Sequence, residues 1–145
     1  MRRTGWRLSY PEFKGALALG LDGTGRLDEA LVAVDHAIAA DREGADSHGW
    51  YAAELLRIKG ELLLRESQHR SASSAAQCFL EALKLAKQQG ALFWELRNAL
   101  SLARLSTASK RKAEARKILA PVYEAFKEGS GIADVRAAKT LLDGL

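Results

Sequence analysis

Residues 50–64 read WYAAELLRIKGELLL, and the glycine inside that run decides how the chain is understood. In an exposed helix interior a glycine costs about 1 kcal/mol relative to alanine, so Gly60 marks an accident, a kink or a close approach of another backbone. On a helical wheel Ala52, Ala53, Leu55, Leu56, Ile58, Gly60, Leu62 and Leu63 cover roughly two-thirds of the circumference, far more than the ~100° apolar stripe of a simple surface helix. A helix patterned this way is packed on two sides. Its remaining polar arc is Glu54, Arg57, Glu61 and Arg65, with the i,i+4 spacings Arg57–Glu61 and Glu61–Arg65; Lys59 lies inside the apolar arc, where its stem can follow the core while its ammonium snorkels out.

The rest of the chain fits helices of the same kind. Its 145 residues are rich in Ala, Leu, Glu, Lys and Arg, and the two prolines, Pro11 and Pro121, leave long stretches unbroken, which favours an all-α chain with no sheet. Helical periodicity, punctuated by DGTG (22–25), EGADSHG (43–49), SQHRSASS (67–74), QQGA (88–91), STASK (106–110) and EGSG (128–131), predicts helices near 11–21, 27–42, 48–66, 72–89, 91–106, 111–128 and 133–143. None of these breaks is long enough for a domain linker, so the expectation is one domain over 1–145 built from helix hairpins in series.

The hairpins repeat. ELLRIKGELLL at 54–64 aligns with ELRNALSLARL at 95–105, which sets Gly60 on Ser101, and Ala18 holds the corresponding slot in FKGALALGL. The partner helices share a second pattern, at Ala30, Val34 and Ala37, at Ala75, Phe79 and Ala82, and more loosely at Ala115, Leu119 and Val122. The small first-helix positions recur at a period of about 41–42 residues, which is the mark of a stacked helical array.

Those residues carry a resemblance to the tetratricopeptide repeat (TPR): Leu17, Ala18 and Leu21 followed by GRLDEAL, then Leu56, Gly60 and Leu63 with Ala75, Phe79 and Ala82, then Trp94 and Ser101. The departures are a turn about three residues longer in the second pair, Arg104 where an apolar or aromatic residue is usual, Pro121 interrupting the last partner helix, and no terminal proline in any repeat. Across GRLDEALVAVDHAIA, GWYAAELLRIKGELLL, AAQCFLEALKLAKQQGALFWELRNALSLARL and AEARKILAPVYEAF the chain is similar to the C-terminal repeat region of bacterial signalling proteins. Those proteins join a class III adenylate/guanylate cyclase or a DNA-binding effector to an ATPase-like module and then to the repeats. The resemblance implies a right-handed α-α superhelix of about three TPR-like hairpins (approximately 11–45, 48–89 and 91–128) plus a capping helix at 133–145. Its role would be to sense or relay a signal in a transcriptional regulator or cyclase system, as a fragment of such a protein or a stand-alone remnant.

Chemical motifs are sparse. The chain has no Gly-Lys dipeptide and so no Walker A loop; GLDGTGR lacks the strand and third glycine of a dinucleotide fingerprint and reads as an inter-helix turn. His36, His48 and His69 have no second ligand at metal spacing, no HExxH occurs, and Ser130 in EGSG lacks a nucleophile elbow. Glu54 and Glu61 share a helix face but sit among arginines, which favours a charged stripe over an acid–base pair. Cys78 is alone and is expected as a small buried residue in a reducing compartment. The 22 Lys and Arg are interleaved with 18 Asp and Glu for a net charge of +4, a balance that does not by itself imply a nucleic-acid partner. The most basic segment, SKRKAEARK at 109–117, lacks interleaved aromatics and reads as a helix start with solvated charge. The N-terminal stretch has neither an h-region nor a spanning helix, which predicts a cytoplasmic protein off the membrane.

The expectation is therefore a non-enzymatic interaction module with no cofactor and no metal. A protein or peptide would lie in a concave groove lined by Glu54, Arg57, Glu61, Arg65, Glu95 and Asn98. The final helix, with Val135, Ala138, Leu141 and Leu142 on one face, would cap the stack; Trp6, Tyr10 and Phe13 would mark an open end where preceding repeats or a second subunit dock. The alternatives are a structural oligomerisation module and, behind it, a nucleic-acid-binding helical repeat.

Overall fold

The computed structural model describes residues 10–42, 49–66, 70–126 and 131–145, without the side chains of 10–14 and 70. The described residues form an all-α chain: α1 (Tyr10–Gly23), α2 (Leu27–Arg42), α3 (Ala52–Arg65), α4 (Arg70–Gln88), α5 (Leu92–Ala108), α6 (Lys112–Glu124) and α7 (Ala133–Asp143). The helices fall where periodicity and turn chemistry predict them, with two differences. α3 begins at Ala52 rather than 48, after a turn at 49–51. Pro121 does not interrupt α6 but lies inside it on the solvent side, and the helix runs on to Glu124 instead of 128. Proline removes its own N–H and crowds the carbonyl four residues back, here that of Lys117, and the helix ends within a turn of that loss, with Ala125 and Phe126 donating to the carbonyls of Val122 and Tyr123.

One backbone device ends three of these helices. After α1 the N–H of Arg26 reaches the carbonyl of Leu21 (2.9 Å) and Gly25 reaches Asp22 (2.9 Å); after α4, Ala91 reaches Ala86 (2.9 Å) and Gly90 reaches Lys87 (3.1 Å); after α5, Arg111 reaches Ser106 (2.8 Å) and Lys110 reaches Thr107 (2.9 Å). Each is a Schellman motif, with a 6→1 and a 5→2 bond. The motif needs a left-handed residue, supplied by Gly25 (φ 77°), Gly90 (φ 64°) and, without the steric freedom of glycine, Lys110 (φ 61°). In all three the next helix starts two residues after the left-handed one. The same turn thus recurs at α1–α2, α4–α5 and α5–α6.

The chain divides into two compact units, Met1–Cys78 and Phe79–Leu145. In the first, α1, α2 and α3 pack on one another around Ala18, Ala30, Ala33, Val34, Ala37, Leu55, Ile58 and Leu62. Alanines dominate the α1–α2 side of that core, which lets the helices approach closely. Gly15 of α1 sits close against α3: a Cβ there would lie 3.2 Å from Tyr51 Cε1 and 3.3 Å from Ile58 Cδ1 and Leu55 Cδ2. α3 is buried over five consecutive positions, Ala52 to Leu56, as its two-thirds apolar wheel requires. Its N-terminal approach is held by Asp41 of α2, whose carboxylate accepts the N–H of Gly49 at 3.0 and 3.2 Å.

In the second unit α5 packs on α6 and α7, and α6 on α7, around Leu96, Leu100, Ala103, Leu119, Val122, Val135 and Leu142. The cation-rich segment at 109–117 works inside this unit. Arg116 Nη2 donates to the carbonyl of Leu142 and Lys112 Nζ to that of Gly144, both at 3.2 Å. Two side chains of α6 thereby satisfy carbonyls at the C-terminus of α7, where helix geometry leaves acceptors unpaired and favours positive charge. Among the described residues no helix is long and apolar enough to cross a membrane.

Candidate functional site

Four of the six expected groove residues, Glu54, Arg57, Glu61 and Arg65, stand on α3 in the first unit. Glu95 and Asn98 stand on α5 in the second. Glu54 occupies the first turn of α3, where the helix dipole favours a carboxylate. Its side chain is only 3 % exposed and Arg57 is 12 % exposed. The guanidinium grips the carboxylate bidentately, Nε to Oε2 at 2.8 Å and Nη2 to Oε1 at 2.7 Å. Glu54 is therefore not part of a solvated stripe; it belongs to a nearly dry ion pair, the strong fork geometry that arginine makes with carboxylates.

The outward arc is narrower than the wheel predicts. Glu61, 36 % exposed, lies 3.5 Å from Arg57 Nη1, and Arg65, at 62 %, pairs with Asp22 at the end of α1. Lys59 snorkels as expected, and its ammonium meets Asp35 of α2 at 2.7 Å. These contacts tie α3 to both other helices of the unit and leave Glu61 and Arg65 as the members of the arc that face solvent most openly.

On α5, Glu95 is 18 % exposed with Lys87 Nζ at 3.9 Å, whereas Asn98 is fully buried. Its amide donates to the carbonyl of Trp94 at 2.9 Å, and its Oδ1, like Ser106 Oγ, is buried with no hydrogen-bond partner among the described residues. Asn98 thus offers nothing to a ligand on the surface; its fixed rotamer belongs to the interior. The preceding residue, Arg97, lies 5.8 Å from the centroids of both Phe93 and Trp94 and 3.4 Å from Asp134 of α7, so a cation–π and ion-pair cluster joins the starts of α5 and α7.

Two features of the second unit were not singled out by sequence reasoning. An open cleft of about 400 Å³ lies between α5 and α7, lined by Arg104, Thr107, Ala137, Thr140 and Leu141 with Gly144 and Leu145. Arg104 is the residue that departs from the repeat pattern, and it is exposed. Charge is also divided unevenly: residues 79–145 hold 12 Lys and Arg against 7 Asp and Glu, and residues 1–78 hold 10 against 11.

Of the remaining candidates, Cys78 is half-buried rather than buried, and His36 is exposed beside Asp28, Glu29 and Val32. Trp6, His48, His69, Ser130 and the side chains of Tyr10 and Phe13 lie outside the described residues. Among the described residues no group of three or more His, Cys, Asp or Glu side chains is arranged to hold a metal ion. Compared with known proteins, the chain matches no family model, no curated protein and no solved structure.

Proposed function

We propose that the chain is a non-enzymatic TPR-like interaction module, a right-handed stack of helix hairpins closed by α7, which binds a protein or peptide and serves as the sensing or relay part of a bacterial transcriptional regulator or nucleotide-cyclase signalling protein. The observation that carries this reading is burial of the small first-helix residues and of the three-residue pattern in each partner helix. Ala18, Gly60 and Ser101, the small first-helix residues, are buried; so are Ala30, Val34 and Ala37, Ala75, Phe79 and Ala82, and Ala115, Leu119 and Val122. A stack of equivalent hairpins requires that coincidence, and an arbitrary helical chain does not. The recurring Schellman turn supports the same reading at the level of the backbone.

The binding surface of the first unit is the outward part of α3, Glu61 and Arg65. It is tested by capture from a bacterial lysate with the full chain as bait, comparing wild type with Glu61→Lys/Arg65→Glu. Arg57 is left unchanged because it holds buried Glu54. Loss of the captured protein with helicity retained is the expected result; identical recovery from both baits contradicts the assignment. Self-association is the second reading, favoured by Leu17, Leu19 and Val32, which are 38, 46 and 54 % exposed on α1 and α2. A mass in light scattering that rises with concentration, and falls back on Val32→Glu, would support it.

A further inference from the structure

We infer that the end of the second unit formed by the C-termini of α5 and α7 and the N-terminus of α6 is a docking surface for an acidic protein segment anchored by an apolar side chain. The inference deepens the interaction-module reading and rests on it.

The three termini share one end because the side chains of Lys112 and Arg116, at the start of α6, reach the carbonyls of Gly144 and Leu142 at the end of α7, and the short turn 109–111 brings α5 to the same place. Charge at this end is strongly one-sided. Its two side-chain carboxylates are already matched, Glu114 to Arg111 at 2.9 Å and Asp143 to Lys139 at 2.7 Å. Arg104, Lys110, Lys112, Arg116 and Lys117 are exposed and, among the described residues, have no carboxylate partner. At the other end Glu95 and Asp134 face Lys87 and Arg97. Helix C-termini attract some of this positive charge, and the bonds of Lys112 and Arg116 to carbonyls account for those two. Arg104, Lys110 and Lys117 are not used in that way.

Cations alone would suit any polyanion, and the cleft decides between them. Next to Arg104 its walls are Ala137, Leu141 and Leu145, with the Thr107 and Thr140 hydroxyls already donating to the carbonyls of Ala103 and Arg136. A phosphate backbone finds no apolar counterpart for such walls, and no exposed aromatic ring lines the cleft for a base to stack on. The cleft has room for a leucine-sized side chain, and carboxylates flanking that side chain on the ligand meet Arg104 in its lining and Lys112, whose ammonium lies on the Gly144 carbonyl at its rim. Apolar anchor and charged rim are the usual division of labour in a protein interface.

The probe is a fluorescent 14-residue peptide of Glu and Asp with two leucines four residues apart. Controls are the same peptide with both leucines changed to serine and a 20-base-pair DNA duplex, all measured by anisotropy with the full chain in 50 and 200 mM salt. The expected result is binding of the leucine peptide that weakens with salt and falls at least tenfold in Arg104→Glu/Lys117→Glu and in Leu141→Asp, with no change in Lys84→Glu on α4 and unchanged helicity in each variant. Conservative Leu141→Met should retain binding, which separates loss of the anchor from damage to the fold. The inference is overturned if the leucine peptide does not bind, if the serine peptide binds equally, or if the duplex binds more tightly. If it is overturned while capture through Glu61 and Arg65 persists, the module reading stands and only this surface is wrong; if that capture also fails, the reading itself is lost.

Discussion

Glu54 and Arg57 are one turn apart in a sequence where every neighbouring charge looks solvated, yet their side chains are nearly excluded from water. Desolvating both groups is costly, and the bidentate bond offsets that cost only while both partners are present. Glu54→Ala leaves a guanidinium at 12 % exposure without its bidentate partner, and should lower unfolding stability by about 3 kcal/mol, the low end for breaking a buried pair. Replacing both, as Glu54→Leu/Arg57→Met, should recover most of that loss. Urea unfolding of the two variants checks it; a Glu54→Ala protein as stable as wild type would mean that the pair opens to water in solution. This burial was not legible in the sequence. A wheel reports which positions are polar, but whether a polar position is wet depends on which helices cover it, and Ala52–Leu56 are covered on every side. Asn98 escaped for the same reason, since its polarity suggested a surface that its surroundings do not provide.

At the scale of elements the sequence was far more legible. Turn residues placed the helices to within a few positions because glycine and small polar residues act locally, through backbone freedom and hydrogen bonding, and need no tertiary context. Gly25 and Gly90 are such cases. Lys110 is the informative exception: its place in the α5–α6 turn demands a left-handed residue, and nothing about a lysine in STASK announces it. Lys110→Gly should relieve that strain and raise stability by about 1 kcal/mol. Thermal unfolding is the measurement, and a destabilised Lys110→Gly protein would show that the lysine side chain contributes more than its backbone costs. Pro121 was over-read, since a single proline costs a helix one N–H bond, to the carbonyl four residues back, and on the exposed face of α6 that loss does not end the helix. The role of Lys112 and Arg116 on α7 was equally out of reach, because it joins residues about thirty positions apart.

For the molecule as a whole, the repeat register ties the separate observations together. The small first-helix residues that the alignment of 54–64 with 95–105 picks out, Gly60 and Ser101, are buried, as is Ala18, and a single turn geometry recurs between helices. The uneven division of charge was present in the composition of the two halves, but the interleaving of acids and bases along the chain concealed it until the helix ends were brought together. Gly60 remains the residue on which the register turns. If it shares a slot with Ala18 and Ser101, a large side chain there overpacks the interior even though leucine is the better helix former. The direct test is equilibrium unfolding of Gly60→Leu beside Ala18→Leu and Ser101→Leu. The account predicts that all three lose stability, each by about 1–3 kcal/mol; a Gly60→Leu protein at least as stable as wild type would contradict the repeat assignment and the interaction module built on it.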